Sequence, residues 1–335
     1  MALSSTAPSE RNKVPSATQI LSSLHTDYVH HIAFDTYGRR MATCSGDRNV
    51  RIWDLTSDGT WELSSEWQAH RGSISQVAWA HPEFGSVLAT AGSDHNCILW
   101  EERDGRKWGS AVTLTESRRA VTCCEFAPKH LRLLLAAGSA DGTVRLYEAL
   151  DVKNLAQWPL QASLQAFPGD AASLGVTCLS WCSGPLGPPT LVVGGSHLIV
   201  YRRSKQWQSI LTIPKASRGV LDVAWAPNVG RRFHWIAATH GAELRVHKLS
   251  REKADNDDNT TLELESTQVL GETTTNNPNQ MFKCSWNVTG TVLASSGDGG
   301  FVQLWKSDFQ GQWKCVSQIY GDLTTTTAAV NKVVT

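Results

Sequence analysis

A short hydrophobic segment that ends on an aromatic residue recurs six times along the 335-residue chain. The copies read VHHIAF (29–34), ISQVAW (74–79), VTCCEF (121–126), VTCLSW (176–181), VLDVAW (220–225) and MFKCSW (281–286). Their closing aromatic residues follow one another at intervals of 45, 47, 55, 44 and 61 residues. Self-similarity at such a period is the signature of an architecture built from repeated supersecondary units. The repeat therefore restricts the fold more strongly than length or composition does.

Each copy is followed by three further segments of β-strand character. The second is apolar, as in RMATCS and VLATAG, and the third ends on a bulky ring in most copies, as in VRIWD and VRLYE. The fourth is more polar and opens with a tryptophan in five copies, at Trp61, Trp108, Trp158, Trp207 and Trp313. Four strands per unit, apolar inside and polar outside, are typical of WD-type propeller blades. The pattern predicts an all-β fold, a six-bladed, open WD-repeat β-propeller.

One strand-like segment, TQILSSLH (18–25), precedes the first complete blade. Because the sixth blade already has four strands, we predict that this segment is the outer strand of an incomplete seventh blade. The fifteen residues after position 320, GDLTTTTAAVNKVVT, are too few for three more strands of about five to six residues each. The predicted organisation is a disordered N-terminal tail (1–17), the propeller (18–320) and a flexible C-terminal tail (321–335).

An incomplete blade implies a partner, because native proteins cover or pair exposed strand edges. We expect another chain to contribute the three missing strands by β-augmentation, burying about 2,000 Å² or more. The contacts should come from the N-terminal strand and from the inner strands of the flanking blades. The predicted partner-binding residues are Ile20, Leu21, Leu24, Val29, Ile32 and Phe282.

Histidine, hydroxyl and aspartate recur together in the first two repeats, as His25, Thr43, Asp47 and Trp53 and then as His70, Thr90, Asp94 and Trp100. The residue types suggest a hydrolase, but a set that occurs twice and decays in later repeats is not what a catalytic site requires. A hydrogen-bonded chain from turn to strand to indole explains the same residues. We predict a structural network and no catalytic or metal site.

Composition excludes several classes of function. Lysine plus arginine (31) balances aspartate plus glutamate (31), which argues against a nucleic-acid surface. No apolar run approaches the roughly 20 residues that span a bilayer, and the N-terminal residues lack the apolar centre of a secretory signal. The eight scattered cysteines are expected to be reduced and mostly buried. No cofactor is predicted.

Several longer stretches are more specific than the general WD pattern. They include RRMATCSGDRNVRIWD (39–54), WAHPEFGSVLATAGSD (79–94), FAPKHLRLLLAAGSADGTVRLYEALDVKNLAQWPLQ (126–161) and SWNVTGTVLASSGDGG (285–300). Over about residues 18 to 320 the chain resembles the Seh-type nucleoporins, relatives of the small propeller of the COPII coat. The resemblance implies a non-enzymatic scaffold subunit of the Y-complex of the nuclear pore, at the nuclear envelope, that supports transport of protein and mRNA. It also implies an α-solenoid nucleoporin as the blade donor and other Y-complex nucleoporins as neighbours.

Other assignments remain open at the level of sequence. The resemblance also implies a second location, in the GATOR assembly that senses amino-acid supply at the lysosome or vacuole. A COPII vesicle-coat propeller and a peptide-binding WD-repeat adaptor are the alternatives. A propeller enzyme would need a metal or acid–base cluster at the axis-facing strand starts, where the sequence shows no recurring set.

Overall fold

The computed structural model of the chain describes residues 21–103, 106–168, 175–184, 188–214, 218–228, 230–251, 262–271 and 280–320. The two predicted tails and Ile20 lie outside these residues. Within them, 24 strands form six four-stranded antiparallel sheets, each a simple meander in chain order. The all-β, six-bladed fold that the repeat predicted is confirmed.

The first three blades contain β1 to β12. Their strands are β1 (Val29–Phe34), β2 (Arg40–Ser45), β3 (Asn49–Leu55) and β4 (Trp61–Gln68); β5 (Ile74–Trp79), β6 (Val87–Gly92), β7 (Cys97–Arg103) and β8 (Lys107–Leu114); and β9 (Val121–Phe126), β10 (Leu134–Ser139), β11 (Thr143–Glu148) and β12 (Leu160–Gln165). Short 3-10 turns, Pro82–Phe84 and Lys129–Leu131, follow the inner strands of blades two and three.

The last three blades contain β13 to β24. Their strands are β13 (Cys178–Trp181), β14 (Thr190–Gly194), β15 (Leu198–Arg203) and β16 (Trp207–Ile213); β17 (Asp222–Trp225), β18 (Phe233–His240), β19 (Glu243–Arg251) and β20 (Leu262–Leu270); and β21 (Met281–Trp286), β22 (Val292–Gly297), β23 (Phe301–Ser307) and β24 (Trp313–Tyr320). The inner strands of blades four and five are two residues shorter than the repeats VTCLSW and VLDVAW. Their first residues bond to neighbouring blades instead: Val176 N donates to Ser139 O (3.1 Å) and Val220 N to Gly195 O (2.7 Å).

Indole groups join successive inner strands. The ring N–H of Trp79 donates to Ala33 O (3.1 Å), that of Trp181 to Glu125 O (3.2 Å), and that of Trp286 to Ala224 O (3.0 Å). Each bond satisfies a buried donor with a carbonyl of the preceding blade, which removes the cost of burying it unpaired. In blades two, four and six the aromatic residue that closes the repeat therefore ties the inner strand to the preceding blade.

Five apolar cores hold the six blades together, one between each consecutive pair. Neighbouring inner strands also contact each other from β1 to β5 and onward to β17 and β21. A closed ring of six blades would need a sixth core between blades six and one. Among the described residues there is no such core, and β21 and β1 do not pack against each other as the other neighbouring pairs do. The ring is therefore open between blades six and one.

The predicted strand of a seventh blade is not confirmed. Leu21 to His25, the described part of TQILSSLH, forms no strand. The physical reason lies at Leu24, whose φ of 56° is in the left-handed region, because a β-strand needs a negative φ at every residue. The backbone turns at Leu24 and places the following histidine against blade one.

Candidate docking surface at the open edge

Blade one exposes apolar side chains on the face that has no neighbouring blade. Ile32 of β1 is 51% exposed, whereas Val77, at the same position of the inner strand in blade two, is fully buried. Phe34 is 55% exposed, while Phe126 in blade three is 9% exposed. We call the surface formed by Ile32 and Phe34 the blade-one face.

Blade six is exposed in the complementary way. Val302 of β23 is 36% exposed, although Val50 and Val144 occupy the same position in blades one and three and are fully buried. Ile319, which lies opposite Val302 in β24, is 48% exposed. We call the surface formed by Val302 and Ile319 the blade-six face, and the two faces together the open edge.

Of the predicted partner-binding residues, Ile20 lies outside the described residues, and Leu21, Leu24, Val29 and Ile32 lie in or just before blade one. Leu21 and Leu24 are exposed in the segment before β1, and Val29 is half-buried at the start of that strand. Phe282 in β21 of blade six is 46% exposed. Phe34 lies in the inner strand that the sequence predicted as a contact, but the sequence did not identify Val302 and Ile319, because their exposure follows from the missing sixth core and not from the residue types.

The first hydrogen-bonded network fastens the N-terminal segment to blade one. His25 joins Asp47 Oδ2 through Nδ1 (2.8 Å) and Thr43 Oγ1 through Nε2 (2.9 Å), and Trp53 Nε1 donates to the same hydroxyl (3.1 Å). Arg51 Nη1 also donates to the carbonyl of Ser23 (3.4 Å). The segment thus lies over part of blade one, and Trp53 stays 2% exposed although no blade covers that side.

The second network repeats this geometry inside the ring. His70 joins Asp94 Oδ1 (2.9 Å) and Thr90 Oγ1 (2.7 Å), and Trp100 Nε1 donates to Thr90 Oγ1 (2.9 Å). Burial lowers the pKa of His70, although Asp94 opposes the shift. Burial alone would raise the pKa of Asp94, but hydrogen bonds from the backbone of Arg71 and from His70 lower it. A neutral imidazole bridging a carboxylate and a hydroxyl satisfies all three groups, and His70 and Thr90 are 3% and 0% exposed.

Later blades keep the positions but change the groups. Tyr147 of blade three replaces the tryptophan and donates to Glu116 Oε2 (2.9 Å). Trp305 of blade six donates to Ser295 Oγ (2.9 Å). In blade five this position is His247, which is 2% exposed and bonds Thr267 Oγ1 through Nδ1 (2.9 Å). Its buried Nε2 has no hydrogen-bond partner among the described residues. Burial lowers the pKa of His247 to about 3.

The inner strands hold a charged group that the repeat pattern did not reveal. Lys283 Nζ of blade six lies 3.1 Å from Asp222 Oδ1 of blade five, and its charge also acts on His31 and Glu125. Burial raises the pKa of Glu125 to about 8, and its Oε2 is buried without a partner among the described residues. An alignment of the six inner strands could have found these residues. At the fifth position, blade three has Glu125 where the other five blades have Ala or Ser. At the third position, blade five has Asp222 and blade six has Lys283.

The described ranges contain no group of three or more histidine, cysteine, aspartate or glutamate residues that could hold a metal ion. No helix in them is long and apolar enough to cross a membrane. All eight cysteines are free, and Cys315 alone among them is exposed.

Comparison with known proteins assigns the family. The family model "WD domain, G-beta repeat" matches residues 18–54, 61–101 and 109–148. The chain is 39% identical over 323 residues to nucleoporin SEH1 of Danio rerio. The aligned region covers 89% of this chain and 86% of that protein. It is 39% identical to nucleoporin SEH1-A of Xenopus laevis and 38% identical to nucleoporin SEH1 of Homo sapiens, each over 89% of this chain and 87% of the relative. The chain belongs to the SEH1 family of WD-repeat nucleoporins.

Proposed function

We propose that this chain is a scaffold subunit of the nuclear pore that accepts a β-sheet from a partner between blades six and one. The observation that carries the proposal is the open edge: six blades share only five apolar cores in the described structure. A sheet that packs against the blade-one and blade-six faces would supply the missing cores. The related proteins are named nucleoporins, which supports the nuclear envelope as the location.

The partner in this proposal is a sheet presented by an α-solenoid nucleoporin, with other Y-complex nucleoporins as neighbours. The predicted count of three strands depended on a fourth strand from the N-terminal segment, and the described part of that segment forms none. Because the described part of the N-terminal segment forms no strand, the contact should be mainly face to face. Apolar side chains such as Ile32 and Val302, exposed by 51% and 36%, would be buried by the inserted sheet. Each aliphatic side chain of this kind contributes about 1–2 kcal/mol when it is removed from water.

A non-enzymatic role agrees with the way the polar groups are used. In blades one and two the histidine–aspartate pairs are already bonded to strand and indole groups. Glu125, whose Oε2 has no hydrogen-bond partner among the described residues, is buried at the inner strand of blade three. A scaffold needs this stability and does not need a reactive group.

The same open edge would serve a GATOR-type assembly at the lysosome or vacuole. Since the described structure has one open edge, a chain bound to one donor cannot accept another there. We therefore propose that the two assemblies use separate copies of this chain. A COPII-type coat would use the same geometry, and the names of the relatives favour the pore.

The test is co-purification of this chain with an α-solenoid nucleoporin from the same organism. The variant Ile32→Asp with Val302→Asp places two charges in the proposed contact, and Val288→Asp is the matched control on a side chain that is 88% exposed away from strands. We expect the double variant to remain folded by circular dichroism. Binding should weaken by at least a factor of about a hundred, because burying an unpaired charge costs several kcal/mol.

If the double variant and the control each co-eluted with the α-solenoid nucleoporin to the same extent in size-exclusion chromatography, the partner would not use the open edge. Co-elution with vesicle-coat subunits in place of nucleoporins would assign the chain to the coat.

A further inference from the structure

A cleft of about 740 Å³ lies between blades five and six, on the opposite side of blade six from the open edge. One wall comes from β18, β19 and β20 of blade five. The other comes from the turn around Gly290 and from the turn between β23 and β24. None of the residues that line this cleft belongs to the WD-type networks or to the open edge.

The cleft has an aromatic floor and an aromatic rim. Phe233 is half-buried at the floor and stacks edge-on against Trp235 (centroids 5.5 Å apart), which in turn meets Trp313 (5.6 Å). Phe309 stands at the rim and is 95% exposed. An exposed phenylalanine beside an aromatic floor offers a site for an apolar side chain.

The turn that carries Phe309 is fixed by hydrogen bonds. Asp308 Oδ1 accepts from the backbone N–H groups of Gln310 and Gln312, each at 2.9 Å. Gln268 of blade five then ties this turn to the outer strand, donating to Gly311 O (2.7 Å) and accepting from Trp313 N (3.1 Å). The two walls are thus joined before any ligand arrives, so that binding requires little ordering of the site.

The charges in the cleft do not cancel. Lys248 pairs with Glu265 (2.6 Å) and Asp308 with Lys314 (3.0 Å). The guanidinium of Arg231 bonds only carbonyl groups, Gly290 O (2.8 Å) and Pro227 O (2.5 Å). In the described part of the chain no carboxylate lies within ion-pair distance of Arg231 or Lys306, which leaves two positive charges at a cleft of aromatic character.

We propose that this cleft binds an extended peptide segment of a partner protein in which an aromatic or large aliphatic residue stands next to acidic residues. The apolar side chain would lie between Phe233 and Phe309, and the carboxylates would meet Arg231 and Lys306. A stacked nucleic acid fits less well, because Trp235 and Trp313 are 5% and 6% exposed and present no free ring face. A membrane surface fits less well because the cleft is concave and the chain has a formal net charge of +0.

Fluorescence anisotropy with the full chain tests this proposal. The probes are a panel of short fluorescent peptides that carry a phenylalanine, tryptophan or leucine between acidic residues, each with a partner in which the acids are replaced by the corresponding amides. We expect the acidic peptides to bind about tenfold more tightly than their amide partners, and added salt to reduce this preference.

Two variants locate the site without disturbing the fold. Phe309→Ala and Lys306→Gln change exposed side chains, and each should weaken binding of the acidic peptides by about five- to tenfold. Tyr37→Ala, 71% exposed in blade one, and Lys153→Gln, exposed in blade three, are the matched controls and should leave binding unchanged.

Three results would overturn the proposal: equal binding of acidic and amide peptides, no binding by any peptide of the panel, or binding that neither Phe309→Ala nor Lys306→Gln weakens. Binding of a polyuridine oligonucleotide or of phosphatidylserine vesicles, lost in these variants while no peptide binds, would assign the cleft to that ligand instead. The assay uses the isolated chain, so its outcome is independent of blade insertion at the open edge.

Discussion

Asp222 of blade five and Lys283 of blade six form an ion pair of 3.1 Å between the inner strands of two blades. The other oxygen of the same carboxylate accepts the backbone N–H of Cys284 at 2.9 Å. Burial raises the pKa of Asp222, while Lys283 and the N–H of Cys284 oppose the shift. One carboxylate thus joins blades five and six at their inner strands, on the side of blade six that faces away from the open edge.

We expect Asp222→Asn to lower the free energy of unfolding by about 1–3 kcal/mol, because it leaves the ammonium group of Lys283 without its counter-charge. The value is below that of a fully buried pair, since the lysine side chain is 48% exposed. Urea denaturation measures the change. The control is Asp58→Asn, in an exposed turn.

A double-mutant cycle with Lys283→Met separates the pair from its surroundings. The Asp222→Asn, Lys283→Met double variant should be less destabilised than the sum of the single variants by at least about 0.5 kcal/mol. Strictly additive effects would show that the pair does not couple the two blades.

Glu125 should make the protein less stable as the pH rises. Its folded-state pKa of about 8 lies above the ordinary glutamate value of 4.5, so the folded state retains a proton that the unfolded state releases. The stabilisation from this group is therefore fully present below about pH 4.5 and is lost as the pH rises to about 8. Glu125→Gln should remove this decline, which amounts to a few kcal/mol in order of magnitude.

Urea denaturation of the wild type and of Glu125→Gln at several values between pH 5 and pH 8 checks the prediction. The difference in unfolding free energy should grow with pH in favour of the variant. Parallel pH profiles would mean that the carboxyl group ionises normally in the folded state.

The sequence predicted the blades because each one repeats the same local pattern. The inner strands of blades one, two, three and six have the bounds that the repeat gave. The ion pair of Asp222 with Lys283 could not be predicted in this way, because it joins residues 61 positions apart and depends on how two blades pack. The same is true of the cleft at Phe309, whose two walls belong to different repeats.

The N-terminal segment shows a different limit of sequence analysis. A pleated TQILSSLH would place Ile20 and Leu24 on one face and Leu21 on the other, which favours a strand, and nothing in the composition marks Leu24 as a residue with positive φ. The bonds of His25 to Asp47 and Thr43 determine the path of the chain here. A tertiary contact thus overrides the local preference of the segment.

Removal of Asp47 should destabilise the protein by about 2–3 kcal/mol. Asp47→Ala leaves His25 and the backbone N–H groups of Thr26 and Asn49 without their acceptor. Burial alone would raise the pKa of Asp47, but these hydrogen bonds lower it below the ordinary value. Its contribution is therefore present above the unfolded-state pKa of about 3.8 and is lost as the pH falls below it.

Thermal and urea unfolding of Asp47→Ala at pH 7, beside Asp58→Ala as the exposed control, measure the effect. The control should change the free energy of unfolding by less than about 0.5 kcal/mol. If both variants behaved alike, the network of blade one would not contribute to stability.

His247 should make the protein sensitive to acid. Its folded-state pKa of about 3 lies below the ordinary histidine value of 6.5, because the ring is buried and Arg245 and His240 add positive charge nearby. Below pH 6.5 His247 binds a proton in the unfolded state but not in the folded state. The free energy of unfolding therefore falls as the pH decreases towards 3. His247→Tyr places at this position the residue type that blades three and four use, Tyr147 and Tyr201, and should flatten the decline. Urea midpoints at pH 7, 6 and 5 measure this decline in the wild type and in the variant. An equally steep loss of stability in the variant would assign the acid sensitivity to another group, such as His31, whose pKa burial lowers to about 4.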